Sequence, residues 1–200
     1  MYNKYLEALN ELNNTAISLN GNSELEKLSL SDKRWALDKR NKQFKTGDKI
    51  KRGEVYQFEF GKNNAPEISY EHRGLVIGVD SRLLHVLPIF SFNPRKSEHQ
   101  NAHHATENHN PKSNFFLLKS SDFDFIRRDS VLKLNDLRTI SVNRMQYKHD
   151  GRIDINSKAY AEIESLVIQK YFHQFFYEHM KLKGAYIELE QKLQEHIAQK

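Results

Sequence analysis

Between Glu54 and Ser141 the chain packs six short apolar segments into fewer than ninety residues. Helices need longer periodic runs, so this spacing confines the middle of the chain to β structure. Glu54-Val55-Tyr56-Gln57-Phe58-Glu59-Phe60 alternates with period two and sets Tyr56, Phe58 and Phe60 on one face. That is the pattern of a half-buried strand. Gly74–Val79, Leu83–Phe92, Phe115–Lys119, Ser130–Leu134 and Leu137–Ser141 read as five more. Asp80-Ser81 and Asn135-Asp136 sit at hairpin length between neighbours. Short strands this closely spaced fold as a small antiparallel barrel or a curled sheet.

Helical patterns flank this centre. Tyr2, Tyr5, Leu6, Leu9 and Leu12 share a helical face, and Asn20-Gly21-Asn22-Ser23 reads as a turn. Ser31 is a fitting N-cap for a second helix carrying Trp35, Ala36, Leu37 and Phe44, which Thr46-Gly47-Asp48 would end. After Gly151, Ile163, Leu166, Val167, Tyr171 and Phe175 follow helical spacing, and Lys183-Gly184 is a plausible break. Tyr186, Leu189, Leu193 and Ile197 then repeat on one exposed face. The expected organisation is a helical extension over 1–48, a β-barrel over 49–150 and C-terminal helices over 151–200, an α+β chain. Within the barrel, residues 92–114 are polar, rich in Asn and His, and too long for a hairpin loop.

Composition excludes some classes of function. The chain has no cysteine, so disulfides and thiolate metal sites are out. No apolar run approaches a membrane span, and no basic segment followed by an apolar core opens the chain, so a cytoplasmic protein without membrane contact is expected. Net charge is +5, and Lys33, Arg34, Lys39, Arg40, Lys42, Lys45, Lys49, Lys51 and Arg52 crowd one segment against Asp32, Asp38 and Asp48. Such a segment is either a solvated face or the electrostatic footprint of a nucleic-acid partner.

Ser69-Tyr70-Glu71-His72-Arg73 runs directly into an apolar strand. Glu, His and Arg together supply the parts of a small acid–base site, or a solvated loop with a minor ion pair. Arg73 suits a developing phosphorane charge, because guanidinium grips phosphate oxygens bidentately and stays charged. His72 titrates near neutral pH and suits a base or acid, while Glu71 suits an orienting role. In an extended chain, however, His72 faces away from Glu71 and Arg73. His99, His103, His104 and His109 lack metal-ligand spacing and read as a flexible loop, so no metal and no cofactor is expected. Tyr171, Phe172, Phe175, Phe176 and Tyr177 read as packing.

Four segments in order resemble the MazF/PemK-like toxins over roughly residues 50–148. Lys51-Arg52-Gly53-Glu54-Val55-Tyr56 is similar to the family's opening strand. His72-Arg73-Gly74-Leu75-Val76-Ile77 falls where the family has Arg-Pro-hydrophobic-Val-Val. Val86-Leu87-Pro88-Ile89-Phe90-Ser91 falls where it has hydrophobic-Ala-Pro-hydrophobic-Thr-Ser. Ser130 to Ile140 resembles the late strand pair, with Arg144 at the Arg before the closing segment. Phe90 replaces the family's Thr, Ile68 stands at its loop acid with Glu67 one residue away, and Asp136 replaces its Gln.

The resemblance implies an SH3-like barrel that pairs as a homodimer. It implies a metal-independent endoribonuclease that cuts single-stranded RNA by 2′-hydroxyl attack, as the toxin of a type II toxin–antitoxin pair. Arg73, His72, Glu71 and Ser91 are then the catalytic candidates, and Arg52, Arg95, Lys96, Arg138 and Arg144 the RNA-binding candidates, with Arg138 and Arg144 placed either to line a phosphate groove or to brace the barrel. The expected partners are RNA and an antitoxin. Two other readings stay open. One is a mobile-element or phage inhibitor, such as an anti-CRISPR acting on guide RNA or a Cas-type ribonucleoprotein. The other is a protein-binding toxin of the gyrase-poison kind.

Overall fold

The computed structural model describes residues 2–18, 22–41 and 49–198. In chain order these form α1 (Tyr2–Ser18), α2 (Asn22–Asn41), β1 (Glu54–Glu59), β2 (Glu71–Asp80), β3 (Leu83–Ser91), α3 (Ser97–Gln100), β4 (Phe115–Leu118), β5 (Ser130–Lys133), β6 (Arg138–Ser141), a 3-10 turn (Val142–Arg144), β7 (Met145–Arg152), α4 (Lys158–Tyr171) and α5 (His173–Ala198). The fold is α+β, and the described strands pair antiparallel. The chain forms two compact units, Met1–Phe90 with Arg138–Arg152, and Ser91–Leu137 with Ile153–Lys200.

In the first unit the strands lie in the order β6-β3-β2-β1-β7. Among the described residues no pairing joins β6 to β7, so these strands form an open sheet where a closed barrel was expected. Register shifts interrupt β1–β7 and β2–β3. Such bulges bend a strand locally without closing the sheet.

The alternation of β1 reads true on its apolar side. Tyr56, Phe58 and Phe60 join Ile50, Ile68, Val76, Leu84, Val86, Ile140 and Val142 in one core, with Phe90 and Met145 packed against it. The opposite side differs from expectation, because Val55 and Glu59 are buried too and only Gln57 is half-buried. Gly74 lets β2 approach this core, since a Cβ there would lie 2.3 Å from Val86 Cγ1 and 2.9 Å from Phe58 Cδ2.

Helix α2 begins at Asn22 and runs through Ser31, so Ser31 is not its N-cap. The Ser31 hydroxyl instead donates to Glu59 Oε1 at 3.0 Å, which ties the helix to β1. Residues 19–21, and the expected helix end at Thr46-Gly47-Asp48 with Phe44, lie outside the described residues. Strand β7 was not anticipated. Its residues are mostly exposed and polar, so it carries no apolar alternation to betray it.

The second unit pairs β4 with β5, setting Phe116 opposite Leu132. The His-rich segment is ordered around its own rings. His99 lies 4.9 Å from the Phe115 ring and accepts the Asn93 amide at 3.0 Å. His103 accepts the Asn110 amide at 3.0 Å and meets Glu162 of α4 at 3.1 Å. His104 meets Asp122 at 2.9 Å. These histidines therefore stand in for an apolar mini-core, where a flexible loop was expected. Ser157 caps α4 by accepting the Tyr160 amide at 3.2 Å, and Tyr160, Ile163, Leu166 and Val167 are buried along it. The helical break falls at Phe172, not at Lys183-Gly184, and α5 continues unbroken past Gly184.

Candidate functional site

The centre of the candidate site is a row across three strands of the first unit. Gln57 on β1 has Arg73 of β2 as its neighbour on one side and Tyr147 of β7 on the other. His149 lies two residues beyond Tyr147, where the β1–β7 register shifts, and its side chain reaches that of Gln57. Its Nε2 is 3.1 Å from Gln57 Oε1, and its ring centroid is 5.2 Å from that of Tyr147. With Nε2–H donating to Gln57, Nδ1 is left as the basic nitrogen. Burial holds the His149 pKa below the ordinary histidine value, and the nearby Arg73 charge lowers it further, against the opposing pull of Asp150. The imidazole is therefore neutral at physiological pH and ready to accept a proton.

Glu71 shares the Arg73 face and lies opposite Glu59. Helix α2 reaches this edge through Arg34, whose Nη2 sits 2.5 Å from Glu71 and whose Nη1 sits 3.0 Å from Glu59. Glu59 also accepts the Gly61 amide at 3.0 Å. Glu71 is thus engaged by a helix outside the motif resemblance, in an ion pair the sequence reading did not foresee.

His72 points to the core side, as strand alternation demands. It opposes Phe58 in register, and its ring lies 5.3 Å from Phe90. Burial lowers its pKa, with Lys27 adding to the effect. Phe90, the residue in place of the family's Thr, is therefore a packing partner of His72.

The remaining sequence candidates scatter. Ser91 is exposed at the end of β3 and opens the second unit. Arg95 and Lys96 are exposed in that unit, with Lys96 4.0 Å from Glu98. Arg52 is exposed just before β1. Arg138 is half-buried on β6 and pairs with Glu67 at 3.2 Å. Arg144 donates to the Phe60 carbonyl at 2.7 Å and presses on Gly61, whose positive φ and missing Cβ make room for it. That is the bracing geometry, one of the two roles its position allowed. Gln57, Tyr147 and His149 were missed. The period-two placement of Tyr147 and His149 was their signal, but only once β7 is known to be a strand.

Among the described residues no group of three or more His, Asp or Glu side chains is arranged to hold a metal ion. No described helix is long and apolar enough to cross a membrane. The first unit also holds a cleft of about 870 Å³ whose lining includes Leu9, Trp35, Arg34 and Arg144.

No family model and no curated protein matches the chain. Among solved structures it is similar to one described as an endoribonuclease in complex with its cognate antitoxin from a mycobacterial species. That similarity has a TM-score of 0.38 and 9% identity over 60% of this chain and 91% of that chain.

Proposed function

We propose that the chain is an endoribonuclease that cleaves single-stranded RNA without a metal, acting as the toxin of a toxin–antitoxin pair. The observation that carries the chemistry is the placement of Arg73 and His149 on either side of Gln57 on one sheet face. Transesterification of RNA supplies its own nucleophile, the 2′-hydroxyl. It asks the protein for a base and for a cation near the phosphorane.

His149 Nδ1 accepts the 2′-hydroxyl proton as the 2′-oxygen bonds to phosphorus. Arg73 hydrogen-bonds the non-bridging oxygens as their charge grows. The bond from phosphorus to the 5′-oxygen breaks, and that oxygen takes a proton from solvent on the open face. The products are a 2′,3′-cyclic phosphate and a 5′-hydroxyl. Gln57 fixes the imidazole through Nε2, and the half-exposed Tyr147 ring offers a surface for a base beside the scissile phosphate. The motif resemblance over residues 50–148 supports the toxin context and an antitoxin as partner.

The test is incubation of the purified chain with a long mixed-sequence RNA in EDTA, beside Arg73→Ala and His149→Gln. Discrete cuts with cyclic-phosphate ends are expected from the wild type. Loss of the cation should slow cleavage by about 10²–10³-fold and loss of the base by about 10²–10⁴-fold. An uncut RNA with folded wild type, or full activity in both variants, would overturn the proposal.

A further inference from the structure

Helix α5 runs for 26 residues with nearly every described side chain exposed. Four of its apolar residues stand in one line. Leu182, Tyr186, Leu189 and Leu193 follow one another at steps of four, three and four, the spacing of a coiled-coil seam. They are 71%, 66%, 68% and 57% exposed, so nothing in the second unit covers that seam. Gly184 falls on the outward side of the same heptads, where a Cβ would meet open space.

We infer that the occupant of this seam is α5 of a second copy of the chain, lying antiparallel. Charge complementarity singles out that partner and that direction. Setting Tyr186 against Leu189 of the second copy places Leu182 against the second copy's Leu193. It also brings Lys183, which flanks the seam, beside Glu190 of the second copy. By symmetry each of these contacts forms twice. The helix thus carries, in one sequence, an apolar seam and opposite charges spaced to meet their own image. The inference stands apart from the RNA chemistry proposed above.

The chain has no cysteine, so single cysteines report the geometry directly. L182C chains mixed with L193C chains, under oxidation, should give a mixed crosslinked pair. L182C alone should not crosslink, because in the antiparallel pair its two copies lie about 16 Å apart along the axis. Self-crosslinking of L182C would mean parallel helices and overturn the inference. In sedimentation the wild type should run as two chains and Leu189→Glu as one, with helical circular dichroism retained because Leu189 is mostly exposed in its own chain. Lys183→Glu should weaken the pair, and adding Glu190→Lys should restore it. A single-chain mass for the wild type, or an unchanged two-chain mass for Leu189→Glu, would equally overturn it.

Discussion

At the residue scale, Arg73 was legible in the sequence and its partner was not. A guanidinium at the mouth of an apolar strand announces itself, and the neighbouring Glu71 and His72 drew the rest of the reading to themselves. Strand geometry turns His72 to the opposite face, while Glu71 stays on the Arg73 face but is already paired. Glu71 is taken by Arg34 of α2, and His72 turns to Phe90. The group brought to Arg73 is His149, from a strand more than seventy residues away. This pairing makes a direct prediction. In the wild type, His149 should titrate below the ordinary value of about 6.5. Arg73→Ala removes the second cause of that depression and leaves burial, so the His149 pKa should rise. His72 should move less, because Arg73 is a minor influence on it behind burial and Lys27. Imidazole chemical shifts followed by NMR across pH 4–8 would check this, whether or not RNA is cut. An unmoved His149 would separate the two side chains and remove the site's electrostatic basis.

At the element scale, legibility tracked apolar periodicity. Strands β1 to β6 each carry apolar residues that a core demands, and the sequence placed them within a few residues. Strand β7 faces solvent along most of its length, so its residues answer to backbone pairing with β1 and not to burial. No local composition encodes that. Two glycines show the same divide between local and tertiary cause. Gly184 reads as a helix breaker, yet it sits inside α5 with nothing within 4 Å of a would-be Cβ. Gly184→Ala should stabilise the helix by about 0.5–1 kcal/mol through propensity alone. Gly74 reads as an ordinary strand residue, yet a Cβ there would strike Val86 and Phe58. Gly74→Ala should destabilise by about 1–3 kcal/mol through overpacking. Urea unfolding of the two variants should move in opposite directions, and a stabilised Gly74→Ala would refute the close approach of β2 to its core.

At the scale of the whole molecule, both units carry groups that set the same acid limit. His72 and His149 in the first unit and His99 in the second are each held below the ordinary histidine pKa, with burial the foremost cause. A depressed histidine binds its proton more readily in the unfolded chain. Between its folded value and about 6.5 the unfolded state therefore holds more protons, and stability rises with pH across that window. A second loss follows at lower pH. Asp129 is lowered by hydrogen bonds from the Ser120 amide and hydroxyl, and Asp122 by Ser121 and His104. Their contributions are complete above the ordinary carboxylate range and fade as pH falls through it and through their folded values. Denaturant midpoints should thus be highest near neutral pH, fall as pH drops below about 6.5, and fall again below about 4. His149→Gln should make the first fall shallower, with His72 and His99 still contributing, and leave the second in place. A midpoint that holds constant from pH 7 to pH 5 would mean that these rings are hydrated in the folded state, and with that the neutral imidazole beside Arg73 would lose its physical ground.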